Sequence, residues 1–340
     1  YDVTEMLGSD NISIKVMLAD GWYRGVFTFL NMRNLWGKKG ALIFEMRIEY
    51  QDGTTEIIVS DESWKVSGKG KVVYSEFYLG EKYNANIEIA DKTLLSAKAF
   101  SHKKKTLISQ IGEDVVKLEE RKPVRIFKTP AGENVVDFGQ NLAGWVKLSI
   151  KGASAGQEIK ISHAEVLDEH GNFYTHNLRK ATAQIIYIAS GKDADLYEPH
   201  FTYMGFRYAK IEGYDSVDAD TLTACVISSD IKQTGHFECS NPDINQLQSN
   251  IIWSQKANFI EIPTDCPQRD ERMGYTGDAQ IFANTAGFNM RTARFFSKWL
   301  NDLKLDQGKS GVVDMTIPRE IRIPFLRISS AGWGDAAAIV

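Results

Sequence analysis

The sequence has 340 residues and a formal net charge of -4, so it lacks the basic excess that nucleic acid or an anionic membrane selects. Hydrophobic residues make up 43% and charged residues 25%, proportions of a soluble globular protein, and no apolar run approaches the roughly 20 residues that span a bilayer. Cys225, Cys239 and Cys266, and the six histidines, show no disulfide or zinc-ligand spacing, which leaves core thiols and surface imidazoles as their expected places.

The length calls for two or three domains. The chain opens at Tyr1 with no Met and no signal-like segment, and is therefore expected to be a piece of something longer. Its compartment, bacterial cytoplasm or periplasm or outside the cell, is therefore not legible.

The first two-thirds reads as β. Ile12, Ile14, Val16 and Leu18 alternate in ISIKVML, and Leu42, Phe44, Met46, Ile48 and Tyr50 alternate in ALIFEMRIEY. A period of two with one apolar face is what half-buried antiparallel strands need. Asp52-Gly53 then signals a hairpin before TEIIVS. After a lysine-rich segment at 97–122 a second β set follows, with WVKLSI, EIKISH, AQIIYIAS, FRYAKIEGY and TLTACVIS. Short strands, frequent turns and no helical pattern between them predict sandwiches rather than an α/β fold. The blocks DGWYRG (Trp22, Tyr23, Arg24) and DFGQNLAGW (Asp137, Gln140, Asn141, Trp145) are expected to serve packing and turns.

The period changes after about Gly235. Asn241-Pro242-Asp243 is a helix start, with Asn as cap, Pro at the first position and an acid in the first turn. Ile244, Leu247, Ile251 and Gln255 are the expected helical face. A second helix is expected from about Asp278 to Ala286, and a third carries Phe295, Trp299 and Leu303.

Between the first two helices runs PTDCPQRDERMGYTGDAQ, residues 263–280. Asp265, Arg269, Asp270, Glu271, Arg272 and Asp278 crowd between the apolar flanks NFIEI and IFANTAGF. Pro263, Cys266, Pro267, Gly274 and Gly277 describe a stiff, shaped backbone, as a site built on a loop requires, and Cys266 is expected to pack. Crowded carboxylates at Asp265, Glu271 and Asp278 push one another's pKa values apart, so that one can serve as an acid while another stays ionised. Arg269 and Arg272 are placed to hold two of them, and Tyr275 offers a face on which a sugar stacks. The residues alone leave open a functional site, an exposed or interface loop, and a divalent-cation site of hard oxygen ligands.

This motif resembles the signature of the bacterial α-L-rhamnosidases, the family 78 glycoside hydrolases. NVVDFGQNLAGWVKLSIKG, HAEVLDEHGNFYT, EPHFTYMGFRYAKIEGY, GHFECSNPDINQL and AGWGDAA resemble further blocks of that family in the same order. The resemblance implies an accessory, carbohydrate-binding-like β-sandwich at 1–105 and a second antiparallel β-sandwich at 106–235. It places the beginning of an all-α (α/α)6-barrel catalytic domain, incomplete here, at 236–340.

It further implies hydrolysis of terminal α-L-rhamnose with inversion, on a rhamnose-containing glycoside or polysaccharide, with no metal and no cofactor. Glu271 takes the general-acid position. Asp265 and Asp278 take positions that bind sugar hydroxyls, and Arg269 helps to fix the carboxylates. Tyr275 stands where the family usually has Trp, and Trp333 matches an aromatic wall. The family's base is a Glu far downstream, beyond Val340, and the context of Asp335 marks it as a packing residue. The 340-residue piece alone is therefore expected to be inactive. The rival readings are a non-catalytic carbohydrate-binding protein and a different α/α-barrel glycosidase or polysaccharide lyase.

Overall fold

The computed structural model describes residues 1–8, 12–309, 311–320 and 327–340. The N-terminal third holds a short helix, α1 (Gly21–Arg24), and strands β1 (Glu45–Glu49), β2 (Thr55–Val59), β3 (Lys65–Val66), β4 (Val72–Glu76), β5 (Gly80–Asn84) and β6 (Leu95–Ser96). The middle third is almost all strand. It comprises β7 (Val115–Arg121), β8 (Arg125–Lys128), β9 (Asn134–Lys151), β10 (Glu158–Ala164), β11 (Gln184–Ile188), β12 (Ala194–Tyr197), β13 (Met204–Glu212) and β14 (Leu222–Ser229). Helices follow: α2 (Pro242–Asn258), then the small hairpin β15 (Phe259–Ile260) and β16 (Ile262–Pro263), then α3 (Thr276–Asn289), α4 (Ala293–Gln307), α5 (Ala331–Gly334) and α6 (Ala336–Ile339). The chain is thus mostly β with a few helices after it.

The β1–β2 hairpin forms where expected, with Gly53 at φ +83 and the Asp52 carboxylate accepting the Thr54 amide at 2.9 Å. Residues 12–18, expected as a strand, are not one. Ile12, Val16 and Leu18 stand 47%, 42% and 55% exposed, because alternation makes a strand only where a neighbouring strand takes its hydrogen bonds.

One sheet dominates, in the order β4-β5-β11-β10-β13-β9-β14-β7, with β8 and β12 also pairing to β9. It crosses the boundary expected near residue 105. The β4–β5 hairpin joins through a parallel pairing of β5 with β11, while β1–β2 and β3–β6 remain separate two-stranded ribbons. Alternate residues Val146, Leu148 and Ile150 of β9 pack with Ile159, Ile161 and Phe206 in the main core. His163 lies in that core fully buried, not at the surface, since it alternates in phase with Ile159 and Ile161 along β10. Its Nδ1 bonds the Ala183 carbonyl oxygen at 2.8 Å, and burial lowers its pKa to about 4.

The start of α2 is as expected: the Asn241 side chain accepts the Asp243 amide at 2.9 Å and Pro242 opens the helix. Its expected face is corrected in part. Gln255 is buried as expected, together with Ile252 and Ala257, but Ile244 and Leu247 are exposed, because only the C-terminal half of the helix is covered. β14, buried along its whole length, lies in contact with α2. A second core unites Phe259, stacked 4.5 Å from Phe295, with Phe296, Trp299 and Leu303 of α4. Among the described residues no helix is long and apolar enough to cross a membrane.

Candidate active site

The charged segment leaves the β15–β16 hairpin and runs over the sheet. Burial alternates along it: Asp270 and Arg272 are 1% and 0% exposed, while Arg269 and Glu271 remain partly open. Among the described residues Arg272 holds no carboxylate, contrary to expectation. Its guanidinium donates to the carbonyl oxygens of Tyr203 (2.6 Å), Phe77 (2.9 Å), Gln268 (3.2 Å) and Arg269 (3.2 Å). Residues 77–79 turn between β4 and β5, so Arg272 ties the loop to that hairpin and to β13. The Tyr78 hydroxyl adds a bond to the Glu271 carbonyl oxygen at 2.7 Å. Close approach is possible because residue 205 is Gly: a Cβ there would lie 2.7 Å from Pro267 Cγ.

On this base four of the expected residues come together. Arg269 donates from Nη2 to Asp265 Oδ2 (3.2 Å) and from Nε to Glu271 Oε2 (2.7 Å). The Tyr275 hydroxyl donates to Glu271 Oε1 at 2.8 Å. The Met273 amide donates to Asp265 Oδ1 at 3.0 Å. A fifth group arrives from the sheet domain. Arg179, in the loop before β11, gives Nε to Asp270 Oδ1 (2.7 Å) and Nη2 to Glu271 Oε2 (2.9 Å). Its backbone is at φ 57, ψ -109, a conformation that a non-glycine residue holds only under constraint. Arg179 also lines a cavity of about 630 Å³ together with Phe173, His176, Gln184 and Lys210.

The two carboxyls are driven in opposite directions. Burial pushes Asp265 above the usual carboxylate range, and the charge of Glu271 adds to this against the Cys266 thiol bond. Burial also pushes Glu271 up, but the hydrogen bonds from Arg269 and Tyr275 and the charges of Arg269 and Arg179 outweigh it, so Glu271 is held low. Tyr275 is held neutral, by burial first and then by its bond to Glu271. The Cys266 thiol is buried and pushed up to about 12, which suits a packing residue and not a nucleophile. Asp265, Cys266 and Glu271 bring potential ligand atoms within 4.8 Å of one another. The Arg269 guanidinium occupies the space between the two carboxylates and bonds both.

The other two expected residues make no hydrogen bond with this cluster among the described residues. Asp278 is exposed in the first turn of α3 and makes no hydrogen bond or ion pair among the described residues. Trp333, on α5, covers Gly277, where a Cβ would lie 2.7 Å from the indole Nε1. Two further carboxyls went unforeseen. Glu165, raised by burial, bonds Asn141 Nδ2 at 3.0 Å and feels the charge of Arg269. Glu320, 8% exposed and also raised by burial, bonds Thr316 and acts electrostatically on Tyr275. The inward pair Asp270 and Arg272 could have been found from alternation within QRDER, whereas Arg179 in HNLRKA carries no sequence signal of its own.

Three family models match the chain in succession. They are an α-L-rhamnosidase N-terminal domain at residues 1–128, a bacterial α-L-rhamnosidase concanavalin-like domain at 127–228, and a bacterial α-L-rhamnosidase 6 hairpin glycosidase domain at 232–340. An α-L-rhamnosidase of Streptomyces avermitilis is 36% identical over 351 residues, which take in 100% of this chain and 33% of that protein. One of Formosa agariphila is 33% identical over 356 residues, 100% of this chain and 38% of its own length. The chain thus spans about a third of the length of these curated relatives. Among solved structures, native α-L-rhamnosidase from Aspergillus terreus superposes with a TM-score of 0.88 at 39% identity, covering 93% of this chain and 38% of its own. The Streptomyces avermitilis α-L-rhamnosidase complexed with L-rhamnose gives 0.86 at 34% identity, over 94% and 32%.

Proposed function

The chain belongs to the bacterial α-L-rhamnosidase family, and from that premise we propose that it is part of an inverting glycoside hydrolase that removes terminal α-L-rhamnose from rhamnosides or rhamnose-containing polysaccharides. The observation that carries this reading is the constellation around Glu271. One carboxyl oxygen is pinned by guanidinium groups, the other meets a neutral phenol, and the group stays partly open to a ligand.

In this proposal Glu271 protonates the departing glycosidic oxygen. Asp265, Arg269 and Tyr275 shape the sugar site around it, and Asp278 and Trp333 close it from α3 and α5. An ionised carboxylate must then activate water from the opposite face of the ring, with the two carboxyls about 6.5–9.5 Å apart. Asp265 does not suit that role, since its oxygen lies within 4.8 Å of one on Glu271, too near to admit the water. We place the base beyond Val340, within the remainder of an (α/α)6 barrel that begins at 236. An ionised base facing Glu271 also raises the pKa that the two arginines depress, as an acid requires.

The β region divides, in this reading, into an accessory unit at 1–105 and a second at 106–235, with the β4–β5 hairpin passing between them to brace the site loop. The test is hydrolysis of an aryl α-L-rhamnoside by the whole protein, followed by proton NMR of the first-formed sugar. Release of the β anomer supports the proposal. Release of the α anomer, or turnover by the 340-residue chain alone, refutes the inverting mechanism or the placement of the base.

A further inference from the structure

We infer that Arg179 is a positioning residue for Glu271: from the sheet domain it shares with Arg269 the Oε2 edge of that carboxyl and thereby assigns the transferable proton to Oε1. This rests on the general-acid reading of Glu271. The geometry carries it. Oε2 accepts two guanidinium N–H bonds, at 2.7 Å from Arg269 and 2.9 Å from Arg179, so a proton on that oxygen would face two cations. Among the described residues Oε1 has a single partner, the Tyr275 hydroxyl at 2.8 Å. A hydroxyl both donates and accepts, so it can turn from donor to acceptor when Oε1 takes up a proton. Arg179 also stands between Glu271 and the cavity lined by Phe173, His176 and Lys210, the only polar link the described residues show between that cavity and the carboxyl.

Arg179 is fixed for this task from two sides. Its second contact is Asp270, 1% exposed, whose Oδ1 takes Nε at 2.7 Å while Nη2 reaches Glu271. The two contacts share one planar fork, a geometry that lysine cannot reproduce. Among the described residues, the charged or titratable groups around Glu271 are Arg269, Asp265 and Cys266 on the same loop, Asp270 and the buried Arg272 on either side of it, Tyr275 ahead of α3, and Arg179 before β11; Glu165 lies in the field of Arg269 and Arg272, and Glu320 in that of Tyr275. Of the arginines in this set, Arg269 and Arg179 bond the Glu271 carboxylate and lower its pKa, while Arg272 is spent on backbone carbonyl oxygens.

A general acid must be protonated to act, so kcat/KM falls as pH rises through its pKa. Removing one of the two cations therefore moves that alkaline limb to higher pH. In the whole protein, Arg179→Gln is expected to shift the limb upward. Above the parent's limb, kcat/KM normalised to its own maximum should exceed the parent's by about two- to five-fold, the range of a partly exposed ion pair. Arg179→Lys, which keeps the charge, is expected to hold the limb near the parent position. The double variant Arg179→Gln/Asp270→Asn removes the carboxylate that the single change leaves unpaired and, having lost an anion as well as a cation, should show a smaller upward shift.

A second readout is independent of turnover. Carbon-13 titration of the Glu271 carboxyl in this chain, assigned with Glu271→Gln, should move to higher pH in Arg179→Gln. A carboxyl and a limb that stay in place, or move down, overturn the inference. A carboxyl that moves up in a protein without rhamnoside turnover overturns the functional reading and leaves the Arg179–Glu271 coupling standing.

Discussion

Replacing Arg272 should damage this chain more than replacing any other charged residue of the site loop. Its side chain is fully buried and serves four carbonyl oxygens, two of them at 2.6 and 2.9 Å, with its guanidinium 4.8 Å from the centre of the Tyr203 ring. Hydrogen bonds to a charged group contribute about 1.5–3 kcal/mol each, and the two short ones give roughly 3–6 kcal/mol. The two bonds at 3.2 Å add less, and relaxation around the vacated carbonyls returns some of the loss. Arg272→Met, which keeps most of the volume and none of the donors, should therefore cost about 4 kcal/mol. For a cooperative unit of 150–250 residues that lowers Tm by about 8–16 °C. Calorimetry and urea unfolding of the two chains measure it, with Arg272→Lys expected between them because one ammonium can serve three acceptors at most. A loss below about 1 kcal/mol for Arg272→Met would refute the view that this cation fastens the loop to β13 and the β4–β5 hairpin.

Two further outcomes follow from the same packing. His163 is neutral in the core with its pKa lowered to about 4, whereas the unfolded chain takes up that proton near pH 6.5. Stability should therefore fall by roughly 3 kcal/mol as pH drops from about 6.5 to 4, and urea midpoints of His163→Gln should lack that component of the slope. Gly205→Ala would put a methyl 2.7 Å from Pro267 Cγ and 2.9 Å from Gln268 Cβ, both on the site loop. It should cost about 1–3 kcal/mol by overpacking and speed hydrogen exchange of the amides at 265–275; a neutral substitution would show that the loop does not rest on β13 as described.

The parts legible in the sequence were those set by neighbours along the chain. Asn241, Pro242 and Asp243 announce α2 because a cap and a first turn are local, and Asp52-Gly53 announces a hairpin for the same reason. The stiff, charged loop was legible as a site because Pro, Gly and crowded carboxylates sit within eighteen residues, 263–280. What depended on distant partners was not. Residues 12–18 alternate as a strand does, yet among the described residues no neighbouring strand takes up their backbone. The contact between Arg179 and Glu271 joins positions 92 apart in sequence, and the one between Tyr78 and the Glu271 carbonyl joins positions 193 apart. Arg272 looked like a counter-ion for a carboxylate because sequence shows charge but not depth. Once its neighbours are backbone carbonyls, it acts as a fastening inside the core.

The role given to Glu271 is tested most directly by comparing leaving groups in the whole protein. Turnover of Glu271→Gln should fall by about 10²–10⁴-fold on a natural rhamnoside, whose alcohol must be protonated to depart. On an aryl rhamnoside with an acidic phenol the loss should be much smaller, since that group leaves without a proton, and rhamnose should bind nearly as before. Near-normal turnover of Glu271→Gln on the natural rhamnoside, or an equal loss on both substrates, would contradict Glu271 as the acid.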